Sequence, residues 1–239
     1  MVFGRGKKAK KEAASEPEDV REDGAAESAN AATAESGRSV TGPFDVSEIS
    51  SRDGYVDLGA LLIAPREGLQ LRLEVEEATQ RVVAVTMDLD ASSLQLQAFA
   101  APRSEGLWDE IREQIGQSVG GQGGQVEEIQ GDFGTELVAK LPSSASDGSQ
   151  GYRVARFIGV DGPRWFLRGV FGGEAALNRD AAAGLEELFR KIVVIRGDNP
   201  MPPRDLLQLR LPKDAPGPVP PGTPEFEQPE RGPEITQIG

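Results

Sequence analysis

The residues best suited to chemistry in this chain are arginines set among aromatic rings. From position 152 the sequence reads YRVARFIGVDGPRWFLRGVFGG, which gathers Arg153, Arg156, Arg164, Trp165, Phe166 and Arg168 into one short stretch. A guanidinium offers a rigid fork of donors that matches carboxylate and phosphate oxygens, and it also stacks on aromatic faces. The stretch is therefore a candidate interaction surface for an acidic partner or a phosphate. The competing reading makes Trp165, Leu167 and Phe171 core, with the arginines in surface ion pairs worth about 0–1 kcal/mol each. Arg103, in APRSEG, and Arg204, in PPRD, stand in proline-containing loops. A stiff loop can present a guanidinium to an anion, so both are candidate anion-binding residues; a tie between loop and tail is the alternative.

Other constellations carry less. Asp88 and Asp90 lie two apart on a predicted strand and share a face, an arrangement that suits Mg²⁺, but an acid-rich strand end is expected in so acidic a chain. Glu127 with Glu128 and Asp132 with Glu136 are read the same way. The run Gly120 to Gly124 follows a predicted helix instead of leading into one and lacks a following GK[ST], so it reads as a helix end and linker and not as a phosphate loop. No catalytic residue, no metal ligand and no cofactor is assigned.

Composition narrows the field. Among 239 residues there is no cysteine and no histidine. That removes disulfides, thiolate chemistry, the commonest general base and the Ser-His-Asp arrangement. A formal net charge of −13 disfavours attraction to nucleic acid or an anionic membrane. The cluster Arg5, Lys7, Lys8, Lys10 and Lys11 leaves room for weak nucleic-acid association at the start of the chain. No apolar run is long enough to span a bilayer and the start lacks an apolar leader, so the expected location is cytoplasmic, with no membrane partner.

The elements that must position these residues follow from periodicity. Residues 1–40, rich in Ala, Glu and Ser, cannot bury enough apolar surface to offset ordering and read as a disordered charged tail; 212–239, rich in Pro and Gly, read as a second one. Between them, 41–211 reads as a single α+β domain. Tyr55–Ile63, with a phase change after Gly59, then Leu69–Val75, Val82–Leu89 and Leu94–Ala100 predict an antiparallel meander. A helix follows, with Leu107, Trp108, Ile111 and Ile115 on one stripe and Ser104 as its N-cap. Further strands cover Val126–Gln130, Leu137–Leu141 and the arms of a hairpin turning at Asp161-Gly162, with Ser143–Gly151 a polar loop. That register sets Trp165 opposite Ile158, Phe166 opposite Phe157 and Arg168 opposite Ala155, with Arg156 diagonal to Trp165. A second helix, capped by Asp180, buries Leu185, Leu188, Phe189 and Ile192; Ile192–Ile195 alternatively begin a last short strand that ends at Arg196-Gly197-Asp198, and LLQLRLP is an extended segment packed on the body. The expected fold is thus an antiparallel sheet of about seven to nine strands with two main helices.

Four motifs, AFAAPRSEGLWDEI, GDFGTEL, VDGPRWFLRG and VVIRGDNPMPPRD, occur in this order and resemble those of an uncharacterised actinobacterial family known only as a domain of unknown function. The resemblance covers roughly residues 40–212. It implies a cytoplasmic protein with variable charged tails and no assigned activity. RWFLRGVFGG followed by AAAGLEELFRKIVVI is also similar, at fold level, to Mog1/PsbP-like domains, most of which are binding modules. The functional expectation is a noncatalytic protein-interaction or ligand-binding module with an unidentified protein partner. The alternative is an enzyme or binder of a phosphate-bearing small molecule acting through Arg and Asp.

Overall fold

The computed structural model describes residues 41–144 and 150–212. The two expected tails, the Lys-rich cluster and the centre of the Ser143–Gly151 loop lie outside the described residues. Seven strands form one antiparallel sheet in the order β4 (Gln70–Glu76), β5 (Arg81–Leu89), β6 (Ser92–Ala100), β10 (Trp165–Gly173), β9 (Gln150–Gly162), β8 (Gly134–Ser144) and β7 (Gln125–Gly131). Four short strands make a second sheet, β1 (Phe44–Asp45), β11 (Val193–Val194), β3 (Leu61–Ile63) and β2 (Val56–Asp57), in which only the β1–β11 pair is parallel. The helices are α1 (Trp108–Gly121) and α2 (Arg179–Arg190). The α+β class and the antiparallel main sheet are as expected.

Each face of the main sheet is covered, which explains why consecutive residues of β10 are buried. Alternate side chains of a strand point to opposite faces. Trp165, Leu167 and Phe171 join Leu94, Leu96 and Ile158 beneath Leu185, Leu188 and Phe189 of α2 and Leu58, Leu61 and Ile63 of the smaller sheet. Phe166 points the other way, into a cluster with Leu107 and Trp108, against which Phe99, Phe157, Ile111 and Ile115 pack. The Trp108 ring stacks on that of Phe166 at 6.0 Å between centroids, and its Nε1 donates to the Thr135 carbonyl at 2.7 Å.

Several expectations are corrected by packing. Tyr55–Ile63 does not extend the meander: it breaks at Gly59, whose φ is +86°, and its halves enter the smaller sheet. The hairpin turns at Pro163-Arg164, two residues later than Asp161-Gly162, with Arg164 itself at φ +62°. Trp165 faces Gly162, Phe166 faces Asp161 and Arg168 faces Gly159. Both registers leave each side chain on the same face, because the change in pairing is an even number of residues. The polar loop is shorter than expected, since β8 runs to Ser144 and β9 begins at Gln150.

Helix α1 begins at Trp108, and its cap is not Ser104. The Asp161 carboxylate, from the neighbouring strand, accepts from the N–H groups of Leu107 at 2.7 Å and Trp108 at 3.3 Å. Free N–H groups and the positive end of the helix dipole make a carboxylate favourable there. Gly106 permits the approach, since a Cβ at that position would sit 2.6 Å from Asp161 Oδ2. The glycine run ends α1 as expected, with Gly123 at φ +73°. Asn178, not Asp180, caps α2 by accepting from the Asp180 N–H at 2.8 Å.

The LLQLRLP segment packs on the body as expected. Leu207 and Leu209 are buried, and the segment fills the gap where β5 diverges from the end of β6. The Ala100 N–H donates to the Asp205 carbonyl, those of Arg204 and Leu207 to the Ala100 and Ala98 carbonyls, and that of Arg210 to Leu58.

Candidate functional site

The arginines that lie close together in sequence are dispersed by the fold. Arg153 is exposed near one end of β9. Arg156 is buried on the α2 face, where Nη1 donates to Glu136 at 3.1 Å, Nη2 donates to Glu186 at 2.7 Å, and the guanidinium lies 4.2 Å from the centre of the Phe171 ring. It therefore stacks on Phe171 and not on Trp165, as the true register requires. Trp165 and Phe166 are wholly buried, and Trp165 Nε1 donates to Asp45 at 2.8 Å. The continuous cationic and aromatic surface is thus replaced by an interior ion trio, two core rings and separated arginines.

Within the trio, Glu136 is fully buried. Burial pushes its carboxyl above the ordinary range, and the nearby Arg156 charge only partly opposes this. Among the described residues, one of its oxygens, Oε1, has no hydrogen-bond partner. The carboxyl packs against Gly131, where a Cβ would come within 1.8 Å of that oxygen. These features describe a structural clasp between α2 and β8–β9.

Arg168 differs. It lies on the opposite face of β10, where α1 leaves a cleft of about 300 Å³ between itself and the sheet. Phe99, Ile111 and Ile115 form the apolar wall, and Arg168, Arg204, Gln114 and Ser118 supply the polar groups. The sequence positions them simply: Ile111 and Ile115 are one turn apart on α1, and Phe99 and Arg168 share a sheet face on adjacent strands. The Arg168 guanidinium lies 5.8 Å from the centre of the Phe99 ring and donates to the Gln97 side-chain oxygen. Among the described residues it has no carboxylate partner, and its Nε is buried without a hydrogen-bond partner. Burial also lowers its pKa from the ordinary arginine value.

Arg204, at φ +72°, reaches the same cleft and pairs with Glu110 of α1 near the surface. Two residues from distant motifs are therefore brought together, one of them first read as an interaction residue and the other as an anion ligand. Arg103 and Arg164 lie elsewhere, on a basin lined also by Arg196. Sequence reading passed over Arg196, which looked like the end of a strand at a Gly-Asp turn. The carboxylate pairs are likewise accounted for locally: Asp88 pairs with Arg72, and Asp90 occupies a turn at φ +53°. No helix among the described residues is long and apolar enough to cross a membrane.

Comparison with solved structures finds a weak likeness to the solution structure of cyanobacterial PsbP (CyanoP) from Synechocystis sp. PCC 6803, with a TM-score of 0.32 and 13% sequence identity. The match spans 56% of this chain and 86% of that one, and at such similarity it carries no argument about function. No curated protein matches. Residues 42–216 match a family profile, and the chain belongs to the family described as protein of unknown function DUF3710.

Proposed function

We propose that this chain is a cytoplasmic, noncatalytic ligand-binding module, and that its ligand is a small apolar molecule ending in a carboxylate or similar anion, held in the cleft between α1 and the sheet. One observation carries the reading: at the edge of an apolar cleft stands a guanidinium whose Nε is buried and has no partner among the described residues. Removing a charge from water is costly unless it is paired. A ligand anion on Arg168 would supply the pair, with Arg204 at the rim as a second donor, while Phe99, Ile111 and Ile115 bury the apolar body. The cleft stands at the small end of ligand pockets, which run from roughly 300 to 1,000 Å³. Its guanidinium, amide and hydroxyl groups supply hydrogen bonds that bind and orient a ligand.

Displacement of an anilinonaphthalenesulfonate dye tests this directly, because the dye joins an apolar body to an anion. Decanoate is expected to displace it and decanol to compete poorly. Arg168→Met, folded by near-ultraviolet circular dichroism, is expected to weaken decanoate by about tenfold or more, the loss of one charge-assisted hydrogen bond. Equal competition by decanol, or an unchanged affinity in the variant, would overturn the reading. Recovery of a protein partner whose capture survives Arg168→Met would move the function away from the cleft.

A further inference from the structure

A second cationic feature stands apart from the cleft and shares no lining residue with it. At the turn of the β9–β10 hairpin, a broad basin of about 610 Å³ is lined by Arg103, Arg164, Arg196 and Asp198. Three separate segments build it. The Arg103 loop is tied to the hairpin turn, since the Ala101 N–H donates to the Arg164 carbonyl at 2.9 Å. Arg164 Nη2 donates to the Gly197 carbonyl at 3.2 Å, while Arg196 Nη1 donates to the same carbonyl at 3.4 Å and to that of Asn199 at 3.0 Å. Pro102, Pro200, Pro202 and Pro203 stiffen the walls.

The charge balance of the basin is unusual for this chain. Two guanidiniums are held by neutral carbonyls, and Arg103 makes no hydrogen bond or ion pair with the described residues. Arg196 Nε is buried without a partner among the described residues. Among the described residues, Asp198 is the only carboxylate lining the basin, against three guanidiniums, in a protein whose formal net charge is −13. A locally positive concavity on a negative protein concentrates small anions, while the surrounding charge repels long ones. Guanidinium forks match phosphate oxygens in pairs of hydrogen bonds.

We infer that this basin, formed by Arg103, Arg164 and Arg196, binds a small molecule bearing two or more linked phosphate groups. Three guanidiniums around a basin of about 610 Å³ give donors and room for two linked phosphate groups. Asp198 sets a limit on charge: it repels the ligand unless a donor of the ligand or a cation carried with it lies between them. Neither the fold of α1 nor the occupancy of the cleft enters this inference, so the two can fail separately.

The test is calorimetric titration of the full chain with inorganic pyrophosphate, followed by ³¹P resonance broadening. One site is expected, with affinity that falls as salt rises because the contact is electrostatic. Arg103→Gln, at an exposed position that leaves the carbonyl contacts of Arg164 and Arg196 untouched, is expected to weaken pyrophosphate several-fold, and Arg103→Gln with Arg164→Gln by about tenfold or more. Arg168→Met is expected to leave it unchanged. No measurable pyrophosphate binding, equal binding by the double variant, or preference for a single-stranded oligonucleotide over pyrophosphate would overturn the inference.

Discussion

Replacing Arg156 with methionine should separate an interior ion trio from an interaction surface. Arg156 is 3% exposed and bridges Glu136, which is fully buried, to Glu186 of α2. Methionine keeps much of the stem that packs over Phe171 but removes the cation bridging the two carboxylates, leaving Glu136 only the more distant charge of Arg179. Breaking a buried pair in this way costs about 3–5 kcal/mol. For a domain of this size each kcal/mol lowers Tm by roughly 2–4 °C, so a fall of about 6–20 °C is expected. The sign of the pH dependence follows from Glu136. Its folded pKa is raised, so the native state holds that proton more firmly than the unfolded chain does, and the associated stability is present below the ordinary carboxylate value. It is lost as pH rises through that value toward the folded one. Above that window the charged Glu136 depends on Arg156. The deficit of Arg156→Met should therefore grow as pH rises through that window and shrink in acid, while Glu136→Gln should gain on the parent protein as pH rises. Urea unfolding at about pH 7 and about pH 4, with slopes compared to exclude a change in the unfolded state, measures both. An Arg156→Met variant within about 1 kcal/mol of the parent at neutral pH would refute the reasoning.

Two further substitutions probe how α1, one wall of the cleft, is held. Asp161→Ala removes the acceptor for two N–H groups at the start of the helix and should cost about 0.5–2 kcal/mol in chemical unfolding, with Asp161→Asn recovering part of the loss. Gly159→Ala would place a methyl 2.3 Å from the Trp108 ring, so it should cost about 1–3 kcal/mol and alter the near-ultraviolet signal of Trp108.

The main sheet was readable because its strands carry plain alternation: along β6, Ser92, Leu94, Leu96, Ala98 and Ala100 are buried and the residues between them are not fully so. The end of α1 was readable because glycine acts locally. What escaped was every feature set by a distant segment. Asp161 looked like a turn residue because Asp-Gly is a strong hairpin signal, yet Pro163 and Arg164 make the turn and Asp161 caps a helix. Nothing near Ser104 announces that the helix takes its cap from another strand. Arg156 and Arg168 are the same residue type on one hairpin, and only the face each occupies decides which is clasped between carboxylates and which borders a cleft. That difference depends on where Glu136, Glu186 and α1 arrive. The cleft itself joins Arg168 to Arg204 through tertiary packing, and Arg196 carries no local mark that separates it from other loop arginines.

The segment that closes the gap between β5 and β6 also bears on the order of assembly. Its last contacts reach back across the chain, with Arg210 donating to Asp57 over a separation of 153 residues. On a ribosome, the strands that receive Leu207 and Leu209 are made long before those leucines exist. Until then the unpaired stretch at the end of β6 is an open strand edge of the kind that recruits other chains. Non-local closure of this sort slows folding, because loop entropy is lost before the contacts are gained. The hairpin at the centre of the sheet can form early from neighbouring residues, but the gap beside β6 is closed only when residues 204–210 arrive, and premature termination before them should yield an aggregating species instead of a smaller working domain.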